Sequence, residues 1–484
     1  MNNNLVYDVH DRPPFGKIIV FALQQLLAIL AATIAVPAII GHDMSQSAAL
    51  FGAGVGTIVY LLFTRFKSPV FLGSSFAFLG SMAAAFAGAA TANIGYLGLI
   101  LGAILAGLVY VIFALIEKFA GSKWIDKIMP PVIIGPTVAI IGLSLAYNAI
   151  GDLFKGGKGM SPNIYLAFVI GLVTLFTTIA ASVFGKKFIK LIPFIIGIAA
   201  GYVVASIFTG IGTAANNADL QVINFKLFED MKWAPDFAFV KAFGAFKDFK
   251  DAGEFFEFFG TVAVAYIPVA FVVFAEHIAD HKNLSSIINK DLTKDPGLHN
   301  TLLGDGIGSM AGAFFGGCPN TTYGESIGCV AITKNASVVT IFATAIIAIV
   351  ISFFAPFVTL LATIPSCVMG GVCITLYGFI AVSGLKMIQK VDLGDNRNLF
   401  VVSVILIAGV GGLVLTFGKV TITEVACALI LGILVNLFVN IGRKKEEPEA
   451  VAEAPVEPVK VEEHQEKEEQ IDTSDSNTEE KKEK

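Results

Sequence analysis

The sequence predicts an all-α integral membrane protein that crosses the bilayer fourteen times. Three observations support this prediction: the composition, the spacing of the apolar runs and the distribution of lysine and arginine. Of the 484 residues, 55% are hydrophobic and only 15% are charged, whereas a soluble domain carries about 25% charged residues. So few charges cannot cover a water-facing surface, but they suit a surface that faces lipid.

Apolar runs of membrane-spanning length recur along the chain. A helix needs roughly 20 mainly apolar residues to cross the hydrocarbon core. The ninth and tenth runs are short and rich in glycine and polar residues. We predict spans at residues 16–40, 46–63, 70–90, 95–117, 130–149, 164–184, 188–208, 258–279, 302–317, 319–333, 337–362, 366–384, 398–417 and 424–441.

The positive charges indicate the orientation, because cytoplasmic loops are enriched in lysine and arginine. With the N-terminus inside and alternating spans, the inside segments up to residue 445 hold twenty Lys and Arg and the outside segments hold eight. This predicts a multi-pass protein of the cytoplasmic membrane with both termini in the cytoplasm. We expect residues 1–15 to be the cytoplasmic N-terminus, residues 209–257 an external connection and residues 443–484 a disordered, charged cytoplasmic tail.

Fourteen spans divide into two halves of seven, an arrangement typical of transporters built from inverted repeats. Spans three and ten then occupy equivalent places, and both are interrupted. Span three carries Gly73-Ser74-Ser75 and span ten begins at Pro319-Asn320. Interruptions by Gly and Pro at matching positions of two halves predict a binding site between them.

Two carboxylates, Glu276 and Glu325, fall inside predicted spans. An ionised carboxylate near the bilayer centre costs roughly 2.5–3.5 kcal/mol or more, and no predicted span contains a Lys or Arg deep inside it as a partner. Three interpretations stay open: pairing with His277 or His281, protonation of the carboxyls, or hydrogen bonds from a neutral ligand with ring N–H groups. Glu276, Glu325 and His277 are therefore candidates for holding a proton.

Residues beside the two interruptions are further candidates for ligand binding. Phe76 and Tyr323 stand next to the breaks, where an aromatic ring can stack on a flat ligand. Gln25 lies inside span one, where a glutamine either contacts a ligand or bonds a neighbouring helix.

Other polar positions have more ordinary interpretations. We expect Asp305 to lie at the membrane interface, and Asp280 and His281 to lie at the solvated cytoplasmic end of span eight, with a gate or proton-path role for these two residues as the alternative. His277 and His281 have the spacing of two metal ligands on one helix face, but no third ligand is evident. We predict no metal site, no cofactor and no nucleic-acid partner.

Four motifs together reveal a family resemblance. They are LGSSFAF at 72–78, AEH at 275–277, KDPGLH at 294–299 and PNTTYGE at 319–325. From Arg12 to about Gly442, the chain resembles the uracil-permease branch of the nucleobase–ascorbate transporter family.

The resemblance implies a particular division of the spans. A core domain comprises spans one to four (16–117) and eight to eleven (258–363), and a gate domain comprises spans five to seven (130–208) and twelve to fourteen (364–442). Spans three and ten are expected to meet as short antiparallel strands. The core would move against the gate in an elevator-type cycle, and two copies would form a homodimer through the gate.

The resemblance also implies a site and a substrate. Glu276 and Glu325 would bind the ring N–H groups of a nucleobase, while the backbone amides at Phe76 and Gly324 would face its carbonyls. Uracil offers two N–H donors and two carbonyl acceptors in one plane, which fits this frame. The implied activity is import of uracil by proton symport.

The sequence departs from the family pattern at several positions, so alternatives stay open. Ser326 stands where the family usually has Asn, Gln25 where close relatives have His, and Asp280 where relatives often have His. One alternative is a permease for purines such as xanthine or urate, or for another pyrimidine. An anion exchanger or channel on the same fold is an alternative of another class. A membrane-embedded hydrolase using Glu276 and His277 would lack a nucleophile or metal set.

Overall fold

The computed structural model describes residues 5–121, 129–186, 188–229, 231–417 and 420–441, and it is built almost entirely from helices. The predicted tail at 443–484 lies outside the described residues. The first half of the chain contains α1 (Phe15–Ile40), α2 (Gln46–Phe63), β1 (Leu72–Ser74), α3 (Leu79–Ala87), α4 (Ala92–Ala120), α5 (Pro131–Ser144), α6 (Ala146–Asp152), α7 (Ile164–Phe184), α8 (Phe188–Leu191), α9 (Pro193–Ala214) and α10 (Ala238–Gly244).

The second half has a similar alternation of long helices and breaks. It contains α11 (Ala252–Ile288), α12 (Leu298–Gly316), β2 (Asn320–Thr322), α13 (Gly324–Thr333), α14 (Val338–Ile351), α15 (Ala355–Ala362), α16 (Ser366–Ile388), α17 (Asn396–Val410), β3 (Leu415–Phe417), β4 (Val420–Ile422) and α18 (Glu424–Val439).

Every predicted span contains a helix, but the helices differ in length. Within the described part of the chain, eight helices are long and apolar enough to cross a membrane. A ninth arises if α14 and α15, which meet at an 85° bend, form one broken span. Three further apolar helices are shorter, at Phe76–Ala87, Asn396–Val410 and Glu424–Val439. The chain is thus a multi-pass helical membrane protein, while fourteen crossings and an inverted repeat stay predictions.

Helix α11 extends well beyond the predicted span at 258–279. The Asp251 side chain accepts a hydrogen bond from the Glu254 amide and caps its start, and Asn289 in the left-handed conformation ends it. The expectation that Asp280 and His281 lie at a solvated helix end was therefore wrong. Both residues lie within the helix, because helix caps, and not the end of the most apolar stretch, determine where a helix stops.

The two interrupted spans meet at a two-stranded antiparallel sheet, as the resemblance implies. Leu72 pairs with Thr322, and Gly73 pairs with Thr321. Gly73 allows the close approach because the ring of Tyr323 occupies the space that a Cβ would need. The sheet places the starts of α13 and of the helical turn at Phe76–Phe78 side by side.

The helices pack in two groups. The first contains α1–α4 and α11–α14, and the second contains α5, α7, α9 and α16–α18. Glycines set the tightest contacts in each group: Gly52 of α2 faces the backbone of α12, and Gly142 of α5 faces the backbone of α16. The groups follow the spans that the resemblance assigns to core and gate, and that assignment stays a prediction.

Candidate functional site

A cavity of about 380 Å³ lies between the two helix groups, and we call it the central cavity. The first group contributes residues from α1, α11, the sheet and α13, and the second group contributes residues from α5, α7, α9 and α16. The polar lining comprises Ser182, Lys190, Glu276, Asp280, Asn283, Thr321, Thr322, Tyr323, Glu325 and Ser383.

Two helix starts open onto this cavity. Glu325 is in the first turn of α13, which begins at Gly324, and Phe76 begins the helical turn that follows β1. The first N–H groups of a helix have no intrahelical partner, so they are available to an acceptor. The broken spans therefore bring Phe76, Gly324 and Glu325 to one cavity.

Three carboxylates line the central cavity. Glu276 and Asp280 lie one helical turn apart on α11, so both face the same side. Asp280 Oδ2 accepts a hydrogen bond of 2.7 Å from the Thr322 hydroxyl of β2. Asp280 was expected at a solvated helix end and was not among the predicted ligand-binding residues, although its spacing of four residues from Glu276 places both carboxylates on one helix face.

The cavity carboxylates have no cationic partner within ion-pairing distance among the described residues. Lys190 lines the same cavity, but its side chain is exposed. Glu276, Asp280 and Glu325 can therefore accept hydrogen bonds from a ligand or hold protons.

The aromatic candidates have different surroundings. Tyr323 donates its hydroxyl proton to the backbone oxygen of Ser74 at 2.7 Å, so it also ties the two strands together. Phe76 makes an edge contact with Tyr377 of α16, with ring centroids 5.5 Å apart. Phe194 and Phe379, which sequence reasoning missed, line the opposite wall. Their apolar runs gave no signal that distinguished them from lipid-facing phenylalanines.

Gln25 lies behind the site and is absent from the cavity lining. Its amide donates to the Ser326 hydroxyl, which also accepts the Phe71 backbone N–H at 3.0 Å. Gln25 and Ser326, two of the departures from the family pattern, are thus hydrogen-bond partners. They join α1, the entry to β1 and α13 directly behind Glu325.

His277 is buried on the far side of α11 and does not line the central cavity. Its Nδ1 lies 2.7 Å from Asp305 Oδ2 and its Nε2 lies 3.0 Å from the Thr301 hydroxyl. His281 is also buried, and its Nε2 lies 2.7 Å from the Tyr60 hydroxyl. The expectation of an interfacial Asp305 was wrong, because α12 packs this carboxyl against α11 and leaves it 1% exposed.

Two solved structures share the fold. The transmembrane domain of the cyanobacterial bicarbonate transporter BicA superposes with a TM-score of 0.58 at 15% identity, over 91% of this chain and 100% of that one. SLC26A9 superposes with a TM-score of 0.59 at 10% identity, over 89% of this chain and 66% of that one. At these identities the likeness establishes the architecture alone.

Sequence relatives are more similar. The uracil permease of Bacillus caldolyticus is 41% identical over 440 residues, which cover 90% of this chain and 95% of the relative. The uracil permease of Bacillus subtilis (strain 168) is 37% identical, over 90% of this chain and 96% of the relative. The putative pyrimidine permease RutG of Escherichia coli (strain K12) is 31% identical, over 89% and 91%. Because the model of the Permease family also matches residues 16–417, this chain belongs to the permease family that contains these uracil permeases.

Proposed function

We propose that this permease imports uracil across the cytoplasmic membrane by proton symport. The observation that supports it best is that two carboxylates, Glu276 and Glu325, which have no cationic partner among the described residues, meet two helix starts in one cavity. The carboxylates match the two ring N–H groups of uracil, and the amides at Phe76 and Gly324 match its two carbonyls. Phe76 or Tyr323 provides the stacking face.

Other substrates of the same class remain the nearest competitors. The relative RutG is named a putative pyrimidine permease, and a purine such as xanthine or urate would offer a similar edge of N–H and carbonyl groups. A cavity of about 380 Å³ is at the small end of the range for ligand pockets. This size favours a single pyrimidine ring.

An anion exchanger or channel is the alternative of another class, since the solved structures with this fold include proteins described as a bicarbonate transporter and an anion transporter. The charge of the central cavity argues against an anion. It is lined by Glu276, Asp280 and Glu325, whereas Lys190 is the one cationic residue among its described lining residues. An anion there would meet repulsion in a low-dielectric environment.

Proton coupling follows from the cost of an unpaired carboxylate inside a membrane. Glu276, Glu325 and His277 are the candidates, and protonation in one conformation with release in another would couple the gradient to uracil. The central cavity lies between the two helix groups, so movement of the core against the gate would change its access. Exposed apolar residues of α7, such as Val169 and Phe176, offer a surface for lipid or for a second copy in a homodimer.

Uptake into proteoliposomes tests the proposal. Labelled uracil should accumulate when the outside is acidic, without sodium, and a protonophore should abolish the accumulation. Excess unlabelled uracil should compete strongly, and xanthine, ascorbate and chloride weakly. Accumulation that is insensitive to the protonophore but requires a sodium gradient would show that sodium, and not the proton, is the coupling ion. Competition by chloride would favour the anion class.

Orientation has its own test. Both termini are cytoplasmic in this proposal, so a cysteine placed at position 457 should resist a membrane-impermeant thiol reagent in intact cells. A cysteine at Lys232, in the external connection, should react. Labelling at position 457 from outside would refute the orientation.

A further inference from the structure

A second, much smaller cavity lies behind strand β2. It has a volume of about 10 Å³ and lies among α4, α11, α12 and the sheet, and we call it the Asp305 cavity. Its polar lining comprises Tyr110, Asp305, Ser309, Asn320 and Thr321. A cavity of roughly 10–15 Å³ is the smallest that holds one water molecule.

Two buried polar atoms at this cavity have no hydrogen-bond partner among the described residues. They are Asp305 Oδ1 and the Tyr110 hydroxyl, and the two residues are 1% and 4% exposed. An unsatisfied polar group in a protein interior is costly, more so if it is charged. The other carboxyl oxygen of Asp305 is already hydrogen-bonded to His277. Rotation of the carboxyl would therefore still leave one of its two oxygens without a hydrogen-bond partner.

We infer that the Asp305 cavity binds a single water molecule, which links the central cavity to the buried Asp305–His277 pair as a proton path. The water accepts the Tyr110 hydroxyl proton and donates to Asp305 Oδ1. Its second proton reaches Thr321, which lines both cavities. A water molecule fits the volume, whereas a cation with a full set of oxygen ligands does not.

The hydrogen bonds around His277 indicate how many protons the pair holds. Thr301 donates its hydroxyl proton to the Leu298 carbonyl at 3.0 Å, so it can only accept from His277 Nε2, which must then carry a proton. One further proton lies between His277 Nδ1 and Asp305 Oδ2. The His277–Asp305 pair is therefore neutral overall. It holds one proton more than the pair would hold as a neutral His277 beside an Asp305 carboxylate.

That proton has a route to the central cavity. For release, rotation of the Asp305 carboxyl turns its protonated oxygen from His277 toward the water. The water turns to accept that proton as it gives one of its own to Thr321, and the Thr321 hydroxyl releases its own proton into the central cavity. What remains is an Asp305 carboxylate beside a neutral His277. The other titratable groups whose charges act near Asp305 are Tyr60 on α2, Tyr110 on α4, and Glu276 and Asp280 on α11. This path rests on the proposed proton symport.

Replacing Tyr110 with Phe tests the path, because it removes one partner of the water and leaves the ring. Tyr266→Phe is the matched control, since Tyr266 is fully buried and its hydroxyl also has no described partner, but it lies outside the Asp305 cavity. Uracil-driven proton entry into proteoliposomes, followed with a trapped pH dye, should fall about tenfold in Tyr110→Phe and less than twofold in the control. Uracil binding to the purified protein should stay within twofold in both.

A map that resolves ordered waters supplies the second measurement. Density for one water between Asp305 and Tyr110 is expected in the wild type, and its loss is expected in Tyr110→Phe. Equal proton entry in Tyr110→Phe and Tyr266→Phe, no density, or density with cation-type coordination would each overturn the inference. If the wild type binds uracil but moves no proton, the symport fails and the proton path with it, while the map still decides whether the water site exists.

Discussion

Acidic residues of the loops are paired with lysines in water, whereas those of the central cavity are enclosed by the protein without such partners among the described residues. On the loops, Asp43 pairs with Lys158 at 2.5 Å, and Asp8 pairs with Lys290 at 2.7 Å. In the cavity, Glu276 and Glu325 have no such partner among the described residues. A partner on a loop adds little, since water and salt already screen the charge. Inside a membrane protein a lone carboxylate is costly, so a ligand or a proton is the group that can offset it.

The loop acids and the cavity acids should also differ in how they respond to pH. The hydrogen bond from Lys158 holds the pKa of Asp43 below its usual range. A lowered pKa in the folded state means that any stability from this pair is present above the ordinary carboxyl pKa of about 4 and is lost only as the pH falls through the lowered value. The loop pairs therefore do not change between pH 5 and 8.

Removing a cavity charge should have the largest effect. Glu276→Gln or Glu325→Gln keeps the shape but removes the charge and one acceptor oxygen. A hydrogen bond to a charged group contributes roughly 1.5–3 kcal/mol, so uracil affinity should fall roughly tenfold to over a hundredfold. Binding of labelled uracil to purified protein measures it, with Asp43→Asn as the loop control. Unchanged binding in a well-folded Glu276→Gln would remove that residue from the site.

Asp280 should show an intermediate effect. It lines the cavity, but its carboxyl is partly occupied by the Thr322 hydroxyl. Asp280→Asn keeps an acceptor for Thr322 and loses the charge, so uracil affinity should fall about tenfold or less. The pH dependence of uptake between pH 5 and 8 should change, because a titratable cavity group is gone. A profile identical to the wild type would indicate that Asp280 holds no proton in the cycle.

The hydrogen bonds that the Ser326 hydroxyl accepts behind the central cavity should matter more for stability than for uracil binding. Ser326→Ala leaves the Gln25 amide and the Phe71 backbone N–H without their acceptor. Each buried donor left unpaired costs about 1–3 kcal/mol. A lower Tm in detergent is expected, with only a few-fold loss of uracil affinity. Ser326→Thr is the control that retains the hydroxyl, and an equal loss in both variants would assign the effect to packing.

Breaking a loop pair should have the smallest effect. In Lys158→Ala the Asp43 carboxylate becomes fully hydrated, because both side chains are largely exposed. Exposed pairs contribute little, so uracil affinity should change less than twofold and the pH profile between pH 5 and 8 should match the wild type. A larger shift would show that this loop contact takes part in the transport cycle and that loop and cavity acids do not differ in this respect.

The sequence predicted the surroundings of two buried carboxylates and misjudged those of two others. Glu276 and Glu325 were found because a carboxylate inside an apolar run is conspicuous. Asp280 and Asp305 were expected at solvated or interfacial positions because each lies near the edge of its apolar run. Burial there depends on how far α11 extends and on what α12 packs against, and neither is a local property.

The sequence by itself determined the helices, the two interruptions and the family. Apolar length, caps and Gly or Pro breaks act over a few residues, so they can be read along the chain. Only the tertiary structure decided which side chains meet. Gln25 reaches Ser326, His277 reaches Asp305, and Thr321 faces two cavities at once. Contacts between residues far apart in sequence depend on the packing of whole helices, because the same side chain can face lipid, a neighbouring helix or a ligand.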